Sequence, residues 1–145
     1  MRRPSPALLA LAVALTYGAA CHGNGAPADV PSSPQQAPAS REIQLAPGET
    51  ARVDGLTVKF DGVSGDSRCP LGVQCFWEGD AVVMVAVSAP AQAGGNLELH
   101  TAGRYPREGT YGRYKIELTA LVPQPKEGEP VPAADYRATL RVTAP

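Results

Sequence analysis

The sequence has few histidines, few cysteines, no charge cluster of one sign and no apolar run long enough to cross a bilayer. Its 13 basic and 14 acidic residues nearly cancel, with no basic run beyond Arg2 and Arg3 and no acidic tail. This balance argues against a nucleic-acid-binding surface. The apolar stretch at residues 7–17 falls short of the roughly 20 residues that a membrane-spanning helix needs.

Residues for catalysis are also scarce. His100 is the only histidine beyond His22, so no histidine-centred triad and no zinc site is predicted. The serines lack the glycine-flanked turn that exposes a hydrolase nucleophile. Five residues separate Cys69 from Cys75, whereas thioredoxin-like redox motifs have two. We therefore expect no enzymatic activity and no cofactor.

Glycine and proline are abundant, at fifteen each, well above their usual combined share of about 12%. Apolar residues alternate with polar ones in several short segments, which is the periodicity of half-buried strands. The pattern predicts an all-β fold, a single small antiparallel β-sandwich of Ig-like architecture with about seven strands over residues 41–145. A small barrel is the alternative.

Particular segments refine this prediction. Asp54-Gly55 is a hairpin turn signal, and Gly94-Gly95 is expected to break the chain between strands. The apolar run at residues 81–87 is typical of a central strand that is covered on both faces or lies near a partner. Four prolines between residues 123 and 132 predict a long loop before the last strand.

The first 20 residues have the layout of a secretory signal: two arginines, an apolar stretch and a small-residue exit. The Ala-Ala-Cys end of this segment resembles a bacterial lipobox, which implies acylation of Cys21, for example with palmitate. His22 after the cysteine, by the same resemblance, favours the outer membrane. Gly18 and Ala20 equally suit ordinary signal peptidase, which would leave a soluble periplasmic or secreted protein.

Residues 21–40 are rich in Pro, Ala, Ser and Gln and have one large aliphatic residue, Val30. Such a segment cannot bury enough surface to offset the entropy of ordering, so we expect a flexible, lipid-anchored linker. If Cys21 carries lipid, Cys69 and Cys75 remain as one pair. A disulfide between them would close a short loop and fix it in a small exported domain.

The segment DSRCPLGVQCFWEGDA, residues 66–81, holds both of these cysteines and the only tryptophan. Its Asp-Ser-Arg-Cys-Pro and Cys-x-Trp-x-Gly motifs resemble those of a group of small exported bacterial proteins. The resemblance implies an exported β-domain with one disulfide and brings no chemistry with it.

Two segments supply candidate binding residues. In the first, Asp66 and Arg68 either pair with each other to brace the loop or contact a ligand. Trp77 is expected to pack in the core against the disulfide, and its alternative role is that of an interface anchor. The second segment alternates basic and aromatic residues, and its candidates are Arg104, Tyr105 and Tyr111.

A calcium site is the remaining option, because five carboxylates lie near one region: Asp54, Asp61, Asp66, Glu78 and Asp80. Their spacing fits no EF-hand loop, so no metal is predicted. The sequence favours a non-catalytic cell-envelope lipoprotein that binds a protein or glycan partner. A purely structural envelope protein and a small metal-dependent hydrolase are the alternatives.

Overall fold

The computed structural model describes residues 39–145, and these form a two-layer β-sandwich with no α-helix. The predicted signal peptide, the predicted lipidation site Cys21 and nearly all of the predicted linker lie outside the described residues, which begin at residue 39. The sandwich has eight strands, one more than the pattern predicts: β1 (Ser40–Leu45), β2 (Thr50–Val53), β3 (Leu56–Asp66), β4 (Ala81–Ala89), β5 (Gln92–His100), β6 (Glu108–Tyr111), β7 (Tyr114–Val122) and β8 (Arg137–Thr143). No helix of the described part is long and apolar enough to span a membrane.

The strands form two antiparallel sheets. Sheet A has the order β1-β8-β7-β6, and sheet B has the order β2-β3-β4-β5. Alternating residues of each strand point between the sheets and build one apolar core, whose largest fully buried members are Phe60, Leu56, Leu99, Ile116, Leu118 and Leu140. The period of two in the sequence therefore reflects one buried and one open face on each sheet.

β4 departs from its prediction. Ala81, Val83, Val85 and Val87 are buried in the core, but Val82, Met84 and Ala86 are only half-buried on the outer face of sheet B. The expectation that this strand is covered on both faces is therefore wrong for the described residues. The continuous apolar run arises because aliphatic residues also occupy the outward positions.

Gly94-Gly95 does not break the chain. Both glycines lie inside β5, and the turn before it is Pro90-Ala91, in which Ala91 has a φ of 61°. A Cβ on Gly95 would lie 3.3 Å from the ring of Tyr111. The glycine thus makes room for a buried aromatic ring and is not part of a turn.

The two ends of the sandwich differ in their connections. One end, which we call the far end, has the two-residue turns 54–55, 90–91 and 112–113, and the chain also begins β1 there, because Ser40 pairs with Thr143. The opposite end, which we call the tip end, carries three long loops: 67–80, 101–107 and 123–136. The predicted proline-rich loop is confirmed as the last of these.

Candidate functional site

The loop between β3 and β4, residues 67–80, forms a narrow-necked projection at the tip end. The Ser67 and Cys69 amides donate to the carbonyls of Asp80 and Glu78, at 2.6 and 3.1 Å, and close its neck. The predicted disulfide is confirmed: Cys69 and Cys75 are bonded, with their Cα atoms 5.9 Å apart. The loop is therefore cross-linked twice, by backbone and by sulfur.

Gly79 is required at this neck. Its φ is +67°, and a Cβ placed on it would lie 1.9 Å from the Ser67 carbonyl oxygen. Only glycine tolerates both the backbone conformation and the approach of the opposite chain. This explains the glycine of the Cys-x-Trp-x-Gly motif in structural terms.

Arg68 is the centre of a buried network beneath the loop. Its Nε and Nη2 donate to both carboxylate oxygens of Asp66, at 2.9 and 2.6 Å. The same guanidinium donates to the carbonyls of Leu121 and Pro123, each at 2.8 Å. Arg68 thus fastens the loop to β7 and to the 123–136 loop, and a bidentate pair of this kind fixes geometry well.

The Asp66 carboxylate also accepts a hydrogen bond from the Tyr136 hydroxyl, at 3.0 Å. Burial by itself raises the pKa of Asp66, but the hydrogen bonds and charge of Arg68 outweigh it and hold the pKa below its ordinary value. Burial and the bond to Asp66 raise the pKa of Tyr136. The network therefore keeps Asp66 ionised and Tyr136 protonated.

A second buried carboxylate, Asp80, holds the neighbouring 101–107 loop. Its Oδ1 accepts the backbone amides of Thr101 and Ala102 at 3.0 and 2.9 Å, and its Oδ2 lies 2.6 Å from His100 Nδ1. Burial raises the pKa of Asp80, but the bonds from His100, Ala102 and Thr101 outweigh burial and lower it. Glu78 adds a further link, because its carboxylate accepts the Gly103 amide at 3.1 Å.

The outermost part of the loop exposes apolar side chains. Phe76 is 97% exposed, Trp77 71% and Leu71 60%, and we call these three residues the apex. The Phe76 and Trp77 rings meet edge to face, with centroids 5.8 Å apart and planes at 60°. Beside the apex, Tyr105 is 43% exposed and Arg104 lies over its ring at 5.0 Å. We call Arg104 and Tyr105 the shelf.

The structure separates the predicted binding residues into two groups. Trp77, Arg104 and Tyr105 are exposed on loops that contact each other, so the two predicted segments meet at one end. Asp66 and Arg68 pair internally, which is the bracing interpretation. Tyr111 is buried at the far end, where its hydroxyl donates to the Ala93 carbonyl. It lies there because β6 runs from the tip end to the far end and Tyr111 is its last residue.

The expectation for Trp77 itself is wrong. It does not pack in the core against the disulfide, because 71% of it is exposed and its ring contacts Phe76. The exposure of Phe76 and Leu71 could not be predicted, because a loop lacks the periodicity that separates inward from outward positions. Tyr136 could have been found as an inward residue of the last alternating segment.

The carboxylates considered for calcium do not converge. Asp66 and Asp80 are occupied by Arg68, His100 and backbone amides, and the described residues contain no group of three or more His, Cys, Asp or Glu side chains arranged to hold a metal. A shallow depression of about 340 Å³ on the outer face of sheet B has Lys59 as its single titratable lining residue. No acidic side chain lines this depression.

Comparison with known proteins does not assign this chain to a class. No family model matches the sequence, no curated protein does, and no solved structure matches the fold.

Proposed function

We propose that this chain is a non-catalytic cell-envelope lipoprotein whose β-sandwich binds another envelope component through its tip end. One observation carries the proposal: a rigidly held loop exposes Phe76 and Trp77 to solvent. Large aromatic side chains on a soluble domain are ordinarily buried, and clustered exposure marks a contact surface. A purely structural role gives no reason to expose them.

The scaffold around the apex supports binding rather than mobility. The disulfide and the Arg68 and Asp80 networks hold three loops in one arrangement before a partner arrives. A preformed surface loses little conformational entropy on binding, which raises affinity. The shelf adds Arg and Tyr, residue types that are enriched at binding hot spots.

Of the partner classes that the sequence favours, a glycan fits the apex less well than an apolar surface does. Sugars stack on flat ring platforms and also need converging hydrogen-bonding groups. The 60° angle between the two rings provides no common platform. We therefore propose a partner that offers an apolar surface at its contact with the apex.

The lipid anchor belongs to the same proposal and rests on the sequence. Acylated Cys21, followed by a linker of about 19 residues, would give a reach on the order of 25 Å. The described chain enters β1 at the far end. Intact mass of the exported protein tests the anchor: acyl chains on Cys21 are expected, and an unmodified cysteine would contradict it.

Retention on native envelope fragments tests binding. Three proteins that all carry Cys21→Ser, so that the proposed lipid does not itself retain them, are compared: the full chain, a Phe76→Ser/Trp77→Ser variant, and a Val122→Thr control, which removes an exposed apolar group outside the apex. We expect the parent and the control to be retained and the apex variant to lose at least tenfold in retention, with thermal unfolding confirming that all three fold. Equal retention of all three proteins would overturn the proposal.

A further inference from the structure

We infer that the apex inserts into the interfacial region of a lipid bilayer. This inference rests on the proposed function, which makes the tip end the contact surface, and it names the partner as lipid.

The loop carries no charge where it projects furthest. Residues 70–77, PLGVQCFW, include no acidic or basic side chain. Charged residues begin at the rim, where Glu78 and Arg104 lie on two adjoining loops and Lys126 pairs with Leu71 in a backbone bridge. The rim therefore carries both signs, so apolar burial rather than attraction to anionic headgroups would drive the contact.

The residue types of the apex match the layers of a membrane interface. Tryptophan is enriched at the level of lipid headgroups, because its ring is largely apolar and its indole N–H remains able to donate. Phe76 and Leu71 have no polar group and are suited to the adjacent acyl region. All three are already exposed, so insertion requires no unfolding of the core.

Two backbone donors of residues 70–77 are already bonded within the protein, in addition to that of Cys69 at the neck. The Cys69 amide donates to Glu78, the Leu71 amide to the Pro125 carbonyl at 2.9 Å and the Val73 amide to the Pro70 carbonyl at 3.3 Å. Each internal bond removes a donor that would otherwise lose water on entering lipid. The disulfide keeps the loop closed, and the Phe76 and Trp77 rings contact each other.

The size of the apex favours a bilayer over a protein pocket. Fully buried aromatic side chains contribute about 150–250 Å² each, so the exposed parts of Phe76 and Trp77 amount to roughly 300–400 Å². A stable protein interface takes about 800 Å² from each partner and a complementary pocket. A bilayer needs neither, because its interface adapts to a small convex projection.

The chain provides its own reporter for a test. Trp77 is the only tryptophan of the sequence, so its fluorescence reports the apex alone, whether or not the N-terminal segment is also bound. The full chain is mixed with vesicles of dioleoylphosphatidylcholine, with and without dioleoylphosphatidylglycerol. We expect the Trp77 emission to shift to shorter wavelength, to be quenched by brominated acyl chains, and to depend little on salt or anionic lipid.

Two variants that keep Trp77 control the measurement. Leu71→Ser/Phe76→Ser is expected to lose most of the shift and quenching, whereas Val122→Thr keeps both. Absence of a shift and of quenching in the parent would overturn the inference. If the parent is nevertheless retained on envelope fragments through Phe76 and Trp77, the occupant is a protein pocket and the proposed function stands. If retention is also independent of the apex, both proposals fail.

Discussion

The two ends of the sandwich use the same residue types in opposite ways. At the far end, the rings of Tyr111 and Tyr114 are buried and their hydroxyls donate to the carbonyls of Ala93 and Asp54, beside two-residue turns. At the tip end, Phe76, Trp77 and Tyr105 are exposed, and the Arg68–Asp66 ion pair and the hydrogen-bonded Asp80 carboxylate lie beneath them. Aromatic side chains thus close the far end, whereas the tip end is held by a polar network that includes Tyr136 and leaves Phe76, Trp77 and Tyr105 exposed to solvent.

The difference shows how a small domain can present apolar groups without collapsing around them. A loop supported by apolar packing would draw Phe76 and Trp77 inward, because their burial is favourable. At the tip end, Arg68, Asp66 and Tyr136 lie beneath the loop and hydrogen-bond one another, so the support there is polar. The polar support therefore keeps the apex outside.

Removal of the Arg68 side chain is expected to have the largest effect. Arg68→Ala leaves the Asp66 carboxylate in a mostly buried site without its counter-charge, and it frees the carbonyls of Leu121 and Pro123. Breaking one partner of a buried pair costs about 3–5 kcal/mol. Chemical denaturation of the parent and variant measures this loss. A change below about 1 kcal/mol would show that the network is not the support of the tip end.

Removal of the disulfide comes next. The bond closes a loop of about seven residues, for which the chain-entropy relation gives roughly 2.4 kcal/mol. Cys69→Ser/Cys75→Ser should lower the free energy of unfolding by about that amount. Reduction of the parent by dithiothreitol is the matched control, and it should reproduce the same loss. If neither treatment changes stability, the neck hydrogen bonds alone hold the loop.

The same tyrosine substitution at the two ends compares them directly. Tyr136→Phe removes a donor to the ionised Asp66 and should cost about 2 kcal/mol, whereas Tyr114→Phe removes a donor to the neutral Asp54 carbonyl and should cost about 1 kcal/mol. Denaturation at neutral pH measures both. Equal costs would show that the charge of Asp66 adds nothing to the stability that the Tyr136 hydrogen bond provides at the tip end.

Low pH should abolish the difference between the stability costs of Tyr136→Phe and Tyr114→Phe. The folded pKa of Asp66 is depressed, so its contribution to stability is complete above the unfolded value, near 3.8, and is lost as pH falls through the lower folded pKa. Tyr136→Phe should therefore become less costly as the pH is lowered through this range. The cost of Tyr114→Phe should not change with it, since the Asp54 carbonyl does not titrate.

Features of the fold that follow a repeating pattern could be predicted from the sequence, whereas features without such a pattern could not. Alternation located the strands and the class of fold, because strand geometry is regular. The cysteine count identified the disulfide by elimination. Trp77 was wrongly predicted in the core and Gly94-Gly95 in a turn, because neither a loop nor a glycine pair has a periodicity that indicates which residues are buried. The Arg68 network joins residues more than 50 positions apart, and no local pattern encodes such a contact.

The smallest effect on stability is expected at the apex itself. Phe76 is almost fully exposed, so Phe76→Ser removes little buried surface and should change the free energy of unfolding by less than about 0.5 kcal/mol. Phe60→Ser is the matched comparison, because that ring is fully buried and its loss should cost several-fold more. A protein in which Phe76 is dispensable for folding but required for binding uses its tip as a contact surface. If Phe76→Ser unfolds the domain, the ring is packed in solution, and the contrast between the two ends disappears.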